Sequence, residues 1–278
     1  MLMVNESTVK RWSDTGLLKC FKTPGGHRKF KFDNVAVFIQ KYNYESNILN
    51  EKDIIGRGEK SNLSAAVFEK NFDVLCVYLE LMLLKNFRED VIRFLVFCYT
   101  NKISLVDIYD KIIKPVQHNI GNLWLINKIG IEQEHAASGL INDSITLLHE
   151  KIINKPKTGR IALCGCIQGE HHEIGIKCVR NVLETEGWEV YYTGADLPVE
   201  AFKKSIDSVK PHIVCISVTK PSEQTGTILK DIFEHSRKNN AKVILGGSGI
   251  NQLSNLHDYC DYSAFNSADM LSFINQIK

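Results

Sequence analysis

Two clusters in this sequence set an imidazole beside a carboxylate. In the first, Glu170-His171-His172-Glu173-Ile174-Gly175, Glu170 and His172 are two residues apart and Gly175 follows three later. A carboxylate that takes the proton of one ring nitrogen fixes the tautomer and leaves the other nitrogen free to ligate a metal. Gly175 lets the backbone come close to whatever His172 holds. In the second cluster, Trp124 is followed after nine residues by Glu134-His135. An indole makes a broad apolar lid over a bound group, and the polar pair can bind hydroxyls or control protonation.

The first cluster needs a rigid base. A strand-like run, Ile161-Ala162-Leu163-Cys164-Gly165-Cys166, leads into it, and Ile176, Val179 and Leu183 follow at helical spacing. Glu170 and His172 therefore fall in a loop at the carboxyl end of a strand, where open α/β sheets bind ligands. Alternation continues to the end of the chain. Strands are expected at 189–192, 213–217 and 242–245 and weakly near Tyr262, and helices at 175–186, 199–209 and 222–239 and from Ala268. This predicts a doubly wound parallel sheet, Rossmann-like or flavodoxin-like, over residues 158–278. Ser217 and Thr219 then end one strand, Gly246 and Gly247 end another, and Gly194 to Pro198 form a loop. An ordinary α/β sheet with glycine turns is the plainer reading of the same pattern.

Residues 63–155 carry apolar residues at the helical period, with turn signals suited to a four-helix bundle. Within it, Ser104 opens the third helix and Pro115 lies in its extension. Residues 46–62 are polar and read as a linker. Residues 1–45 hold eight cations against four acids, a net of +4. A helix is expected from about Glu6 to Ser13, with Asn5 or Ser7 as its cap and Gly16 past its end. Trp12, Leu17 and Leu18 are read as core, and a second helix is expected from Asp33 to Tyr42. The turn Thr23-Pro24-Gly25-Gly26 then projects His27, Arg28 and Lys29, cations that would meet phosphates.

Composition bounds the rest. The chain has 278 residues, 44% hydrophobic and 24% charged, with a formal net charge of +2, as in soluble globular proteins of two or three domains. No apolar run is long enough to span a membrane, and no signal peptide is visible. The eight cysteines are scattered, several of them in apolar runs, and read as reduced core residues of a cytoplasmic protein.

Three motifs also carry a resemblance. Glu170-x-His172-x-x-Gly175, with Ser217-Val218-Thr219 and Gly246-Gly247, resembles the lower-ligand motif of cobalamin-binding domains. Val9-Lys10-Arg11-Trp12 through Thr23-Pro24-Gly25-Gly26-His27-Arg28-Lys29-Phe30 resembles the winged helix-turn-helix of MerR-type regulators. Trp124 with Glu134-His135 resembles the cap of cobalamin-dependent photoreceptor regulators of the CarH/LitR type. The resemblance implies adenosylcobalamin as cofactor, His172 as lower cobalt ligand and Glu170 as its partner. Trp124 would cover the upper face, with Glu134 and His135 on the adenosyl side. Ser7, Thr8, Lys10 and Arg11, with His27, Arg28 and Lys29, would contact operator DNA. Glu6 joins the groove-facing candidates.

The implied function is a cobalamin-binding transcriptional regulator, a repressor and not an enzyme. It would self-associate as a dimer or tetramer under control of cofactor and light. The alternatives are a corrinoid carrier of a methyltransferase system, a light-independent cobalamin sensor, or a scaffold without cofactor. Two departures are visible. The family's pattern has a helix ahead of this point, and the sequence starts at Met1 without it, so the module is expected to be N-terminally incomplete. The family also places histidine after the tryptophan, as upper ligand after photolysis. Here that residue is Leu125, leaving His118 and His135 as substitutes between which the sequence does not choose.

Overall fold

The structure, a computed structural model, describes residues 6–23, 25–30, 34, 38, 41, 42 and 57–276. It divides into two compact units, Met1–Ser138 and Gly139–Lys278. The expected Asn5 cap and the helix opening at Asp33 fall outside the described residues.

In the first unit, α1 (Glu6–Asp14) precedes a small antiparallel hairpin of β1 (Phe21–Lys22) and β2 (Arg28–Lys29). Trp12, Leu18 and Phe38 form its core, with Val9 and Phe30 against them. Gly16, at φ 74°, turns the chain after α1 as a C-terminal glycine does. Leu17, read as core in the sequence, is exposed, because that turn leaves room inside only for Leu18.

Among the described residues of 57–149, five helical segments follow where the turn signals predict four. They are α2 (Arg57–Phe68), α3 (Phe72–Leu84), α4 (Arg88–Thr100), a segment from α5 (Leu105–Asp107) to α6 (Lys114–Leu125), and α7 (Ile131–His149). The extra break lies between Phe68 and Phe72. Lys70 there is left-handed at φ 51°, and the Asn71 side chain accepts from Val74 N–H to cap α3. Phe68, read as periodic core, is consequently exposed at the end of α2. α2 also begins inside the stretch expected as linker.

Between α5 and α6 runs a π-helical turn, Ile108–Ile113. Pro115 follows it and has no N–H to give the preceding turn. The thiol of Cys76 on α3 donates instead to the Lys111 carbonyl at 3.2 Å, so the carbonyl is not orphaned. Ser104 caps α5, accepting from Asp107 N–H at 3.0 Å.

The second unit is built on five parallel strands in the order β4-β3-β5-β6-β7. They are β3 (Ile161–Ile167), β4 (Glu189–Leu197), β5 (Ile213–Ser217), β6 (Lys242–Gly246) and β7 (Tyr262–Ala264). The connecting helices are α8 (Ile174–Thr185), α9 (Val199–Val209) and α10 (Thr225–Lys238), with α11 (Ser267–Gln276) closing the chain. The central strands are continuous apolar runs because both faces are covered. Sheet order reverses at β3, so the loops after β3 and β5 flank the switch point where such sheets bind ligands.

The expected loop from Gly194 is in fact the end of β4. Gly194 and Asp196 take φ of 79° and 55°, and the register shifts twice against β3, so pairing survives to Ile167 and Leu197. A Cβ on Gly165 inside β3 would lie 2.0 Å from Thr193 Oγ1, so a larger residue there would make Thr193 turn aside. Among the described residues no helix is long and apolar enough to cross a membrane. Phe202, fully buried in the core with Leu163, Val214 and Leu229, should cost about 3–5 kcal/mol when cut to alanine. Urea unfolding followed by tryptophan fluorescence would show this as a lower midpoint, Trp188 being buried in this unit.

Candidate cofactor site

The second-unit cluster sits at the carboxyl ends of β3 and β5. β3 ends at Ile167, and the loop to α8 carries Glu170 and His172. The Glu170 side chain is buried at 3% exposure, whereas that of His172 is 47% exposed. The carboxylate is fully engaged. Oε1 accepts from His172 Nδ1 at 2.6 Å and from His172 N–H at 2.9 Å. Oε2 accepts from Thr219 N–H at 2.6 Å and Lys220 N–H at 2.9 Å, both in the loop after β5. Burial opposes the charge, but the N–H groups of Lys220, His172 and Thr219 and the His172 ring outweigh it. They hold the Glu170 carboxyl below its usual range.

The consequence is a set tautomer. With Nδ1 on a carboxylate, Nε2 is the outward nitrogen of an exposed ring. A ring nitrogen left facing outward at a strand end could ligate a metal. Cys166 closes the loop from below, its thiol donating to the His172 carbonyl at 3.8 Å. Burial, with Glu170 and Glu173 nearby, pushes that thiol up to about 12, so it serves as the donor in this bond.

The remaining sequence-selected residues of this unit line the same ends. Ser217 pairs in register with Gly246, and Thr219 supplies its N–H to Glu170. A Cβ on Gly175 would lie 3.2 Å from Ser217 Oγ, so this glycine also lets the start of α8 approach β5. Gly247 has φ 101°, and a Cβ there would meet the Val218 carbonyl at 2.2 Å. Two contributors escape sequence reasoning. Lys220 acts through its backbone, which no side-chain pattern reveals. Glu173, the next residue after His172, bonds Lys177 at i+4, a spacing that does carry a signal.

Trp124, Glu134 and His135 belong to the first unit. Trp124 is half-buried near the end of α6, beside exposed Leu125 and Ile126. On α7, Glu134 Oε2 bonds His135 Nδ1 at 2.5 Å, and Ser138 donates to Glu134 Oε1 at 2.8 Å. This pair repeats the carboxylate–imidazole logic of Glu170 and His172, with the imidazole 71% exposed.

The N-terminal cations divide in two. Ser7, Lys10, Arg11, His27 and Lys29 are exposed, and Thr8 is half-exposed. Arg28 is turned inward to Asp14 at 2.6 Å, tying the hairpin to α1. Its guanidinium, as hydrogen-bond donor and nearby charge, lowers the Asp14 carboxyl.

Comparison with known proteins gives two matching family models. Residues 160–269 match a family model described as a B12 binding domain, and residues 83–149 match a second model of the same description. The HTH-type transcriptional repressor CarA of Myxococcus xanthus is 27% identical over 154 residues, 54% of this chain and 52% of that protein. The chain thus spans about half that relative's length. The trimethylamine corrinoid protein of Methanosarcina barkeri is 23% identical over 155 residues, covering 54% of this chain and 71% of that one. In fold, the chain is similar to the monomethylamine corrinoid protein of Methanosarcina barkeri. The TM-score is 0.59 at 15% identity, covering 72% of this chain and 96% of that one.

Replacing Glu170 by glutamine would turn an amide toward the Thr219 and Lys220 N–H groups. The expected cost is about 1–3 kcal/mol in urea unfolding, with an ordered His172 lost. An unchanged midpoint would show that the four bonds contribute nothing net. Together, the two family models show that the chain carries a cobalamin-binding domain.

Proposed function

We propose that this chain is a cobalamin-responsive transcriptional regulator, acting as a repressor. The observation that carries the reading is a helix and hairpin that expose cations, on the same chain as a cobalamin-binding domain. α1 offers Ser7, Lys10 and Arg11 to solvent, the hairpin offers His27 and Lys29, and Arg28–Asp14 with Trp12, Leu18 and Phe38 holds the two together. In this reading they make up a winged helix-turn-helix, with the helix for the major groove and the hairpin for the backbone. The similarity to a repressor in Myxococcus xanthus supports it.

His172 Nε2 is the lower ligand in this reading, and Glu170 holds the ring. Ser217, Thr219, Gly246 and Gly247 border the cofactor's lower side. Trp124 gives it an apolar lid, with Glu134 and His135 as the polar pair of the helical-bundle cap. Adenosylcobalamin is the form proposed, because it supplies a light-sensitive cobalt–carbon bond. Ligand-linked self-association would place several recognition helices on one operator and gain avidity.

The test is protein mixed with adenosylcobalamin in the dark, desalted, and run on gel filtration before and after green light, beside His172→Ala. Retained corrin colour that needs His172, with a light-dependent elution volume, is expected. Colour without a light effect would leave a cobalamin sensor. In DNA binding to its own promoter region, Lys10→Ala should weaken affinity. It should also flatten the slope of log K against log salt by about 0.9, the share of one neutralised phosphate. A second reading, a corrinoid carrier for methyl transfer, is favoured by the corrinoid relatives. Methyl transfer with a partner enzyme, and no salt-dependent DNA binding, would select it.

A further inference from the structure

Glu173 follows the proposed ligand His172 and stands at the start of α8 without capping it through its side chain. Its carboxylate faces another helix. Oε1 accepts from Asn142 Nδ2 at 3.1 Å and from Lys177 Nζ at 2.7 Å, and Oε2 accepts from the Tyr192 hydroxyl at 2.8 Å. Lys177 Nζ also donates to Asn142 Oδ1 at 2.8 Å, closing a ring of three side chains. Burial, then the bond to Glu173, raises the Tyr192 phenol, so it stays a donor.

The ring is one end of a longer seam. Asn181 Nδ2 donates to the Ile145 carbonyl at 3.4 Å, and Glu184 bonds both His149 and, at 3.2 Å, Arg180 Nε. The Arg180 guanidinium lies over the Tyr192 ring, 5.5 Å from its centroid. Asn142, Ile145 and His149 lie at spacings of three and four, on one face of α7. Asn142, Ile145 and His149 bond α8 and its first residues from α7, Tyr192 reaches them from β4, and all these residues lie within one compact unit.

We infer that Glu173 and Asn142 form a latch through which the state of His172 is read by α7. This deepens the proposed function and rests on His172 being a cobalt ligand. One peptide bond separates His172 from Glu173, so a pose imposed on the imidazole is imposed on the carboxylate. Hydrogen bonds are directional and weaken steeply when donors and acceptors shift, so the ring is either made or broken. A cofactor that fixes the loop in the pose seen here favours the made state and holds the 139–149 half of α7. Glu173 and Asn142 are positioning residues, since neither is assigned a contact with the cofactor. By reciprocity, a weaker latch means weaker cobalamin binding by the same factor.

The experiment is peptide-resolved hydrogen exchange on the full chain in the dark, with and without saturating adenosylcobalamin. In the natural protein, cobalamin should slow exchange across 139–149 by about tenfold, the scale of one charged hydrogen bond. In Asn142→Ala that slowing should vanish, while the histidine-ligated absorption spectrum and the protection of 168–175 remain. A merely structural bond would change exchange equally with and without cobalamin. Tyr192→Phe, which keeps the ring over Arg180, should reduce the same slowing and serves if Asn142→Ala does not fold. Equal slowing in the variants, or none in the natural protein, would overturn the latch and leave the ligand assignment standing. Failure of the natural protein to retain cobalamin would instead remove the assignment, and the latch with it.

Discussion

A buried carboxylate with every lone pair engaged governs this structure. Glu170 could not remain charged at 3% exposure without the donors that meet it, and those donors come from two loops. The charge thereby ties the end of β3 to the end of β5 and sets the ring of His172. The geometry of the site is a by-product of satisfying one anion. The parallel sheet makes this possible, because it brings the two strand ends side by side with Ala162–Gly165 in register with Ile213–Ile216.

The first unit solves different problems of satisfaction. Pro115 interrupts a helix, and a π turn with a thiol from the neighbouring helix takes up the free carbonyl. Arg28 is withdrawn from the exposed cations to hold the hairpin on α1. A module this small has little core, so a surface ion pair that sets its shape matters more through geometry than through energy. The cations left outside are those able to meet phosphates.

Much of the fold is legible in the residues. The apolar runs of β3, β5 and β6 could only be doubly covered strands, and the helix Val199–Val209 follows its amphipathic period to the residue. Several of the misses have a common cause. Where the chain turns through left-handed residues other than glycine, at Lys70 and Asp196, side-chain type carries no signal. The break before α3, the exposure of Phe68 and the extension of β4 all follow from such turns. Leu17 failed for a related reason, since two adjacent leucines cannot both face inward after a tight glycine turn.

By itself, the sequence determined which chemistry was present. A carboxylate two residues from an imidazole, a glycine three beyond it and a strand before it are local facts, as is the absence of cysteines at metal spacing. Tertiary structure alone decided how that chemistry is held. The partners of Glu170 Oε2 are backbone N–H groups about fifty residues away, and two partners of Glu173, Asn142 and Tyr192, lie on another helix and another strand. Backbone donors are the same at every residue, so no pattern of side chains can announce them. Long-range hydrogen bonds appear only when the sheet has closed.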